Sequence, residues 1–114
     1  MATRTTEEVI QHHGQAIGSG NIDMIIQDYT EDSVLFTPTE TYKGLDGIKA
    51  GFAAFSSMFT PEVAANMKVI KQEIQGEYVY FLWSAPPTIP SAGDTFYIHN
   101  GKILMQSVIF HTVS

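Results

Sequence analysis

The dipeptide Asn100-Gly101 constrains this chain more than any other feature. It lies between two strand-like runs and tolerates the positive φ that a two-residue hairpin turn demands. The stretch 94–112, DTFYIHNGKILMQSVIFHT, therefore predicts a β-hairpin. Period-two alternation then sorts its side chains. Asp94, Phe96 and Ile98 share one face of the first arm, opposite Thr95 and Tyr97; in the second, Leu104, Gln106, Val108 and Phe110 alternate with Met105, Ser107, Ile109 and His111. Neither face is cleanly polar, so both are expected to be covered. Asp94 and Gln106 then project a carboxylate and an amide into whatever the sheet encloses.

A second strand limits the architecture: Tyr78-Val79-Tyr80-Phe81-Leu82-Trp83 is apolar at every position and reads as buried on both faces. In a single domain of 114 residues, spanning 1–114, helices can cover one face and the other needs a partner. The expectation is a homodimer that buries the face carrying Val79, Phe81 and Trp83.

Upstream, Thr5 and Glu8 read as a capping box for a helix with Val9, Ile10, His13, Ala16 and Ile17 on one face, ended by Gly18 and Gly20. Asn21 caps a second helix, in which Ile22, Ile25, Ile26 and Tyr29 recur at helical spacing while Asp23 and Asp28 face water. Thr30-Glu31-Asp32 reads as a turn, 33–37 as a short strand stopped by Pro38, and 39–44 as a loop. Asp46 is read as the cap of a third helix carrying Ile48, Phe52, Phe55 and Phe59 and stopped near Pro61. Residues 65–74 alternate loosely, Gln75-Gly76-Glu77 turns, and Pro86-Pro87 with 90–93 makes an irregular connection to the hairpin. The order, α-α-β-α followed by strands, is that of an α+β fold.

Charge and composition remove several functions. A net charge of −6, with Arg4 and five lysines as the only fixed cations, argues against nucleic acid and against phosphorylated substrates. No cysteine is present, which excludes disulfides and thiolate chemistry, and no run is apolar for the length of a signal peptide or membrane span. A cytoplasmic location is the default. His99 reads as a turn residue and His111 as a rim residue, neither with a second ligand at metal spacing, so no metal site is expected. No phosphate loop or nucleophile elbow occurs, and Glu40 and Glu73 read as solvent-facing. No cofactor is expected.

Three stretches carry a family resemblance: Gly20-Asn21-Ile22-Asp23 through Tyr29 to Glu31-Asp32-Ser33-Val34 and Pro38; Tyr42-Lys43-Gly44-Leu45-Asp46-Gly47-Ile48; and Asp94-Thr95-Phe96 before Asn100-Gly101-Lys102-Ile103. Together they resemble the nuclear transport factor 2-like superfamily, in its ketosteroid isomerase and SnoaL-like polyketide cyclase branch. The resemblance implies a cone-shaped fold, with three N-terminal helices packed on a curved, mostly antiparallel sheet that encloses a pocket, usually in a homodimer.

In ketosteroid isomerases the residue before the proline that ends the first strand is the aspartate base; here it is Thr37. The first-helix tyrosine of that family is matched by His13, and the protonated aspartic acid of its oxyanion hole by Asp94. The resemblance thus implies Asp94 and His13 as catalytic candidates. Tyr29, Phe52, Phe55, Phe96 and Phe110 read as core that a cone turns partly into pocket wall; with Thr37, Gln106 and Val108 they form the candidate ligand-binding set. Two functions stay open. One is a cofactor-independent cyclase, isomerase or hydratase acting on a small neutral carbonyl compound, with Asp94 as acid. The other is a non-catalytic homodimer that binds a small apolar ligand and has lost the base. Ordinary ketosteroid isomerase activity is not expected.

Overall fold

The computed structural model describes residues 3–113. The chain runs through α1 (Thr6–Ser19), α2 (Ile22–Ile26), β1 (Tyr29–Phe36), β2 (Thr41–Lys43), α3 (Gly44–Ser56), α4 (Pro61–Ala65), β3 (Lys68–Gln75), β4 (Tyr78–Ala85), β5 (Ile89–His99) and β6 (Lys102–His111). The six strands form one curved, unclosed sheet in the order β2-β1-β6-β5-β4-β3. Neighbours are antiparallel except β1 and β6, which run parallel. The fold is thus the α+β type expected, with four helices among the described residues where three were read. The fourth, α4, is a single turn that Thr60 caps and Pro61 opens, a signal masked by treating Pro61 only as a stop.

Local chemistry explains the elements. Thr5 accepts from the Glu8 backbone while the Glu8 carboxylate accepts from the Thr5 backbone, and α1 ends on Gly20 at φ 71. Asn21 caps α2 as expected, but α2 is one turn, and Tyr29 opens β1 rather than extending a helical stripe. The residues read as a turn, 30–32, lie inside β1 as an irregularity: the Thr30 N–H donates to Ser33 Oγ at 2.8 Å, replacing a ladder bond. The loop 39–44 holds β2, paired to β1. Asp46 lies in the first turn of α3 and is not its cap; Lys43 occupies that position without a side-chain bond, and the Asp46 charge meets the positive end of the helix instead.

The hairpin closes with Asn100 at φ 50 and Gly101 at φ 75. A Cβ on Gly101 would come within 2.9 Å of Thr3 Cγ2, so the N-terminal segment packs on this turn. β5 is longer than read: residues 90–93 continue the strand from Ile89, with Ala92 opposite Phe110. Tyr97 pairs with Met105 but Ile98 with Ile103, which makes Leu104 an extra, bulged residue. The bulge moves Leu104 off the inner face and puts Ile103 there, fully buried.

Two corrections matter for partners. In β4, Val79 and Trp83 are buried and Phe81 half-buried on the concave side, whereas Tyr78 and Tyr80 are exposed on the convex side. The strand is not buried on both faces within one chain, and Val79, Phe81 and Trp83 face inward, so they cannot form a convex interface. Asp28, read as solvent-facing, is fully buried. It accepts from Arg4 at 2.9 Å and from His12 Nδ1 at 2.7 Å, while Arg4 also donates to the Gly101 carbonyl at 2.7 Å. That cluster ties the N-terminal segment, α1 and the hairpin turn together. No helix among the described residues is long and apolar enough to cross a membrane.

The apolar interior divides in two. One cluster packs α1 and α3 against the sheet through Val9, Ile48, Phe52, Phe96, Ile98 and Ile103. The other lies under α4, around Val63, Trp83, Ile89 and Ala92. Burying Ile48 and Phe52 contributes about 1.5–3 kcal/mol each, enough to hold α3 across the sheet. Phe81 packs against both clusters, and the space between them is the site.

Candidate functional site

A cavity of about 880 Å3 opens between the concave sheet face and the helices. Its lining is mostly apolar, and a few polar groups converge on it, the general form of a small-molecule site. Among the described residues no lysine, arginine or second carboxylate lines it; Asp94 is the one charged type.

Asp94 is placed by register. It stands opposite Val108 on β6 and Phe81 on β4, with Phe96 and Gln106 the next inward pair. Asp94 is 8% exposed, and each carboxyl oxygen has a fixed donor: the Trp83 indole N–H donates to Oδ1 at 2.8 Å, and the Gln106 amide N–H to Oδ2 at 2.8 Å. Burial pushes this carboxyl up to about 6, while the two N–H donors favour its charged form and limit the rise. Gln106 is itself held, because the Tyr29 hydroxyl donates to its Oε1.

His13 enters from the inner face of α1, and His12, one residue earlier, turns about 100° away to Asp28. His13 is 8% exposed, and its ring packs edge-to-face with Tyr29, Phe52 and Phe96, with centroids 6.2, 6.2 and 5.2 Å away. Burial pushes its pKa down to about 4, nearby Asp28 opposing and His12 adding, so the imidazole is neutral at physiological pH. Its Nδ1 has no hydrogen-bond partner among the described residues. A neutral imidazole offers one donor and one acceptor, and the Nδ1 one is uncommitted here.

Of the sequence-based candidates, the structure brings Asp94, His13, Thr37, Phe52, Phe55, Phe96, Gln106, Val108 and Phe110 onto the lining of one cavity. Tyr29 is the exception: it lies behind Gln106, buried, and is not part of the lining. Thr37 faces the cavity, but its hydroxyl donates to the Glu40 carbonyl at 2.9 Å and accepts from the Glu40 N–H at 3.0 Å. That side chain is spent on its own turn. Glu40 and Glu73 are exposed and outside the cavity, and His99 pairs with Glu77 at 2.7 Å on the surface.

Trp83 is the cavity side chain hydrogen-bonded to Asp94 that sequence reasoning did not place in the site. The signal was present in the parity of the strand: Tyr78 and Tyr80, with hydroxyls suited to water, mark the outer face and leave Trp83 pointing inward. Met58 and Met67, which also line the cavity, come from the α3–α4 connection and the entry to β3 and had no periodic signal, while Phe59, read at helical spacing in the third helix, lines it from beyond the end of α3 at Ser56.

No family model matches the chain, and no curated protein matches it in sequence. Solved structures do. A nuclear transport factor 2-like protein of unknown function from Cytophaga hutchinsonii is 17% identical, covers 97% of this chain with 95% of its own, and superposes with a TM-score of 0.71. A candidate polyketide cyclase from Sinorhizobium meliloti is 14% identical over 88% of this chain and 92% of its own, with a TM-score of 0.71. TerC, co-crystallised with polyporic acid, is 19% identical over 93% of this chain and 91% of its own, with a TM-score of 0.69. At such identities the likeness carries the fold: the chain has the nuclear transport factor 2-like cone, which SnoaL-like proteins share.

Proposed function

We propose that this cone binds a small, neutral, largely apolar carbonyl compound and moves a proton on it without a cofactor, as a cyclase, isomerase or hydratase, with Asp94 as the acid–base group and His13 as a second hydrogen-bonding group. The observation that carries this reading is the state of Asp94. It is a buried carboxyl on an apolar cavity wall, with a pKa raised to about 6, so both protonation states are accessible near neutrality. As a carboxylate it can take a proton from the carbon beside the carbonyl, and the carboxylic acid so formed can return that proton to the oxygen on which negative charge has developed or to another carbon of the same compound. Neutral His13 adds a donor or an acceptor without bringing charge into the cavity. The co-crystallisation of a protein of like fold with polyporic acid supports a small organic ligand for the cone.

A second reading has its own support. With Thr37 at the position of the isomerase base, and its hydroxyl tied to Glu40, the cavity lacks a carbon-proton acceptor at that wall. The protein is then a binder of the same ligand class. In either case we propose a homodimer through the convex sheet face, where Tyr78, Tyr80 and Ile109 are 59%, 44% and 69% exposed.

The test is deuterium exchange. A panel of small cyclic and aryl ketones is incubated with the protein in D2O and followed by proton NMR, while Trp83 fluorescence reports binding. On the first reading the wild type speeds exchange or rearrangement of at least one member, and Asp94→Asn slows it by about 10²–10⁴-fold. Binding with no exchange selects the second reading, and no binding by any member sinks both.

A further inference from the structure

Tyr29 is buried, does not line the cavity, and donates its hydroxyl hydrogen to Gln106, whose amide nitrogen donates in turn to Asp94. A glutamine amide has two unlike ends, so its orientation is a choice. With nitrogen toward Asp94, all three groups are satisfied. With the amide turned over, Gln106 Oε1 would face the lone pairs of the carboxylate, and the Tyr29 hydroxyl hydrogen, deep in the core, would lose its acceptor. The turned arrangement gains a bond only when Asp94 is protonated, because its O–H can then donate to Oε1.

We infer that Tyr29 is a positioning residue for Asp94: by donating to Gln106 Oε1 it decides which end of the amide faces the carboxylate, and so holds the site in its ionised form. The inference rests on the proposed role of Asp94 for its meaning. Other groups leave the amide as the free variable. Trp83, from β4, can only donate, whichever state Asp94 is in. His13 from α1 is neutral, Tyr42 from β2 is the other titratable group on the wall, and α3 and α4 bring only uncharged residues. The other buried carboxylate, Asp28, is held by Arg4 and His12.

The experiment is carbon-13 NMR titration of the Asp94 carboxyl in ligand-free protein, with Asp94→Asn used to assign the resonance. Tyr29→Phe, which removes one oxygen, should raise the midpoint by about one pH unit, a tenfold change in proton affinity. Gln106→Leu should raise it at least as far. The double variant should match Gln106→Leu alone, because Tyr29 acts only through Gln106. An unmoved midpoint in Tyr29→Phe, or a double variant shifted beyond Gln106→Leu, would overturn the inference. Should either variant not fold, the wild type still decides. Its Gln106 side-chain amide resonances must shift with the Asp94 midpoint, and an amide indifferent to that titration refutes the relay. Because no ligand is present, an Asp94 shift without turnover sinks only the enzymatic reading, and turnover without the shift sinks only this inference.

Discussion

Replacing Asp28 by alanine should destabilise the protein by about 3 kcal/mol, although Asp28 lies outside the cavity. The side chain is fully buried and accepts from Arg4 at 2.9 Å and from His12 at 2.7 and 2.9 Å. Hydrogen bonds to a charged group are worth about 1.5–3 kcal/mol each, giving a gross loss of about 3–6 kcal/mol. Part returns, because the Arg4 side chain is 36% exposed and His12 26%, so both can turn to water once the carboxylate is gone. The buried charge is the one removed, which places the cost at the lower end of the 3–5 kcal/mol typical of broken buried pairs. Arg4→Met does the opposite: it strands the buried carboxylate and frees the Gly101 carbonyl, and should cost at least as much. Asp28→Asn keeps size and one acceptor and should cost about half. At about 4 °C per kcal/mol for a domain of this length, Asp28→Ala lowers Tm by about 12 °C. Urea denaturation with a thermal melt of each variant measures this. If Asp28→Ala melts within 2 °C of the wild type, or Arg4→Met costs less than half as much as Asp28→Ala, the cluster is not the clamp described.

Asp94 should make stability fall as pH rises. Its folded pKa of about 6 exceeds the ordinary value of about 4, so the folded state holds the extra proton between the two and loses up to about 3 kcal/mol of relative stability above pH 6. Asp94→Asn should therefore be more stable than the wild type by about 1–2 kcal/mol at pH 7.5, less than the full linkage because its amide meets the Gln106 amide, and less stable than the wild type near pH 4, where the linkage vanishes and the amide mismatch remains. A gap that does not change with pH would contradict this. Gly14→Ala should stabilise by about 0.5–1 kcal/mol in denaturant melts, since a Cβ there meets nothing within 4 Å inside α1. Ile109→Glu, on the convex face, should halve the mass seen by sedimentation at micromolar concentration, whereas Phe81→Glu should disturb the cavity instead; an unchanged mass for Ile109→Glu counts against the proposed interface. Negligible isomerisation of a β,γ-unsaturated ketone is expected from the wild type, and a measurable rise from Thr37→Asp if the carboxylate escapes the Glu40 turn.

Short-range signals in the chain determined much of this architecture. The Asn100-Gly101 turn, the Thr5–Glu8 capping box, the Asn21 cap and the alternation of Asp94 and Phe96 onto one face are set by residues within a few positions of each other. Local sterics and hydrogen bonding suffice for these, so they were legible without coordinates. The length of β1 and β5 was not, because ladder pairing extended both strands through residues whose own propensity favours turns.

Only the tertiary structure decided the electrostatics. Asp28 looked like a helix-surface carboxylate until α2 proved to be one turn and the chain reversed, bringing Arg4 from 24 positions away to pair with it. Trp83 and Asp94 meet across the β4–β5 register, which shifts between Trp83 and Ala85, and Tyr29 reaches Gln106 through the parallel β1–β6 pairing, 77 residues apart. Burial and long-range partners set a carboxyl's proton affinity, and neither is a property of its neighbours in the chain.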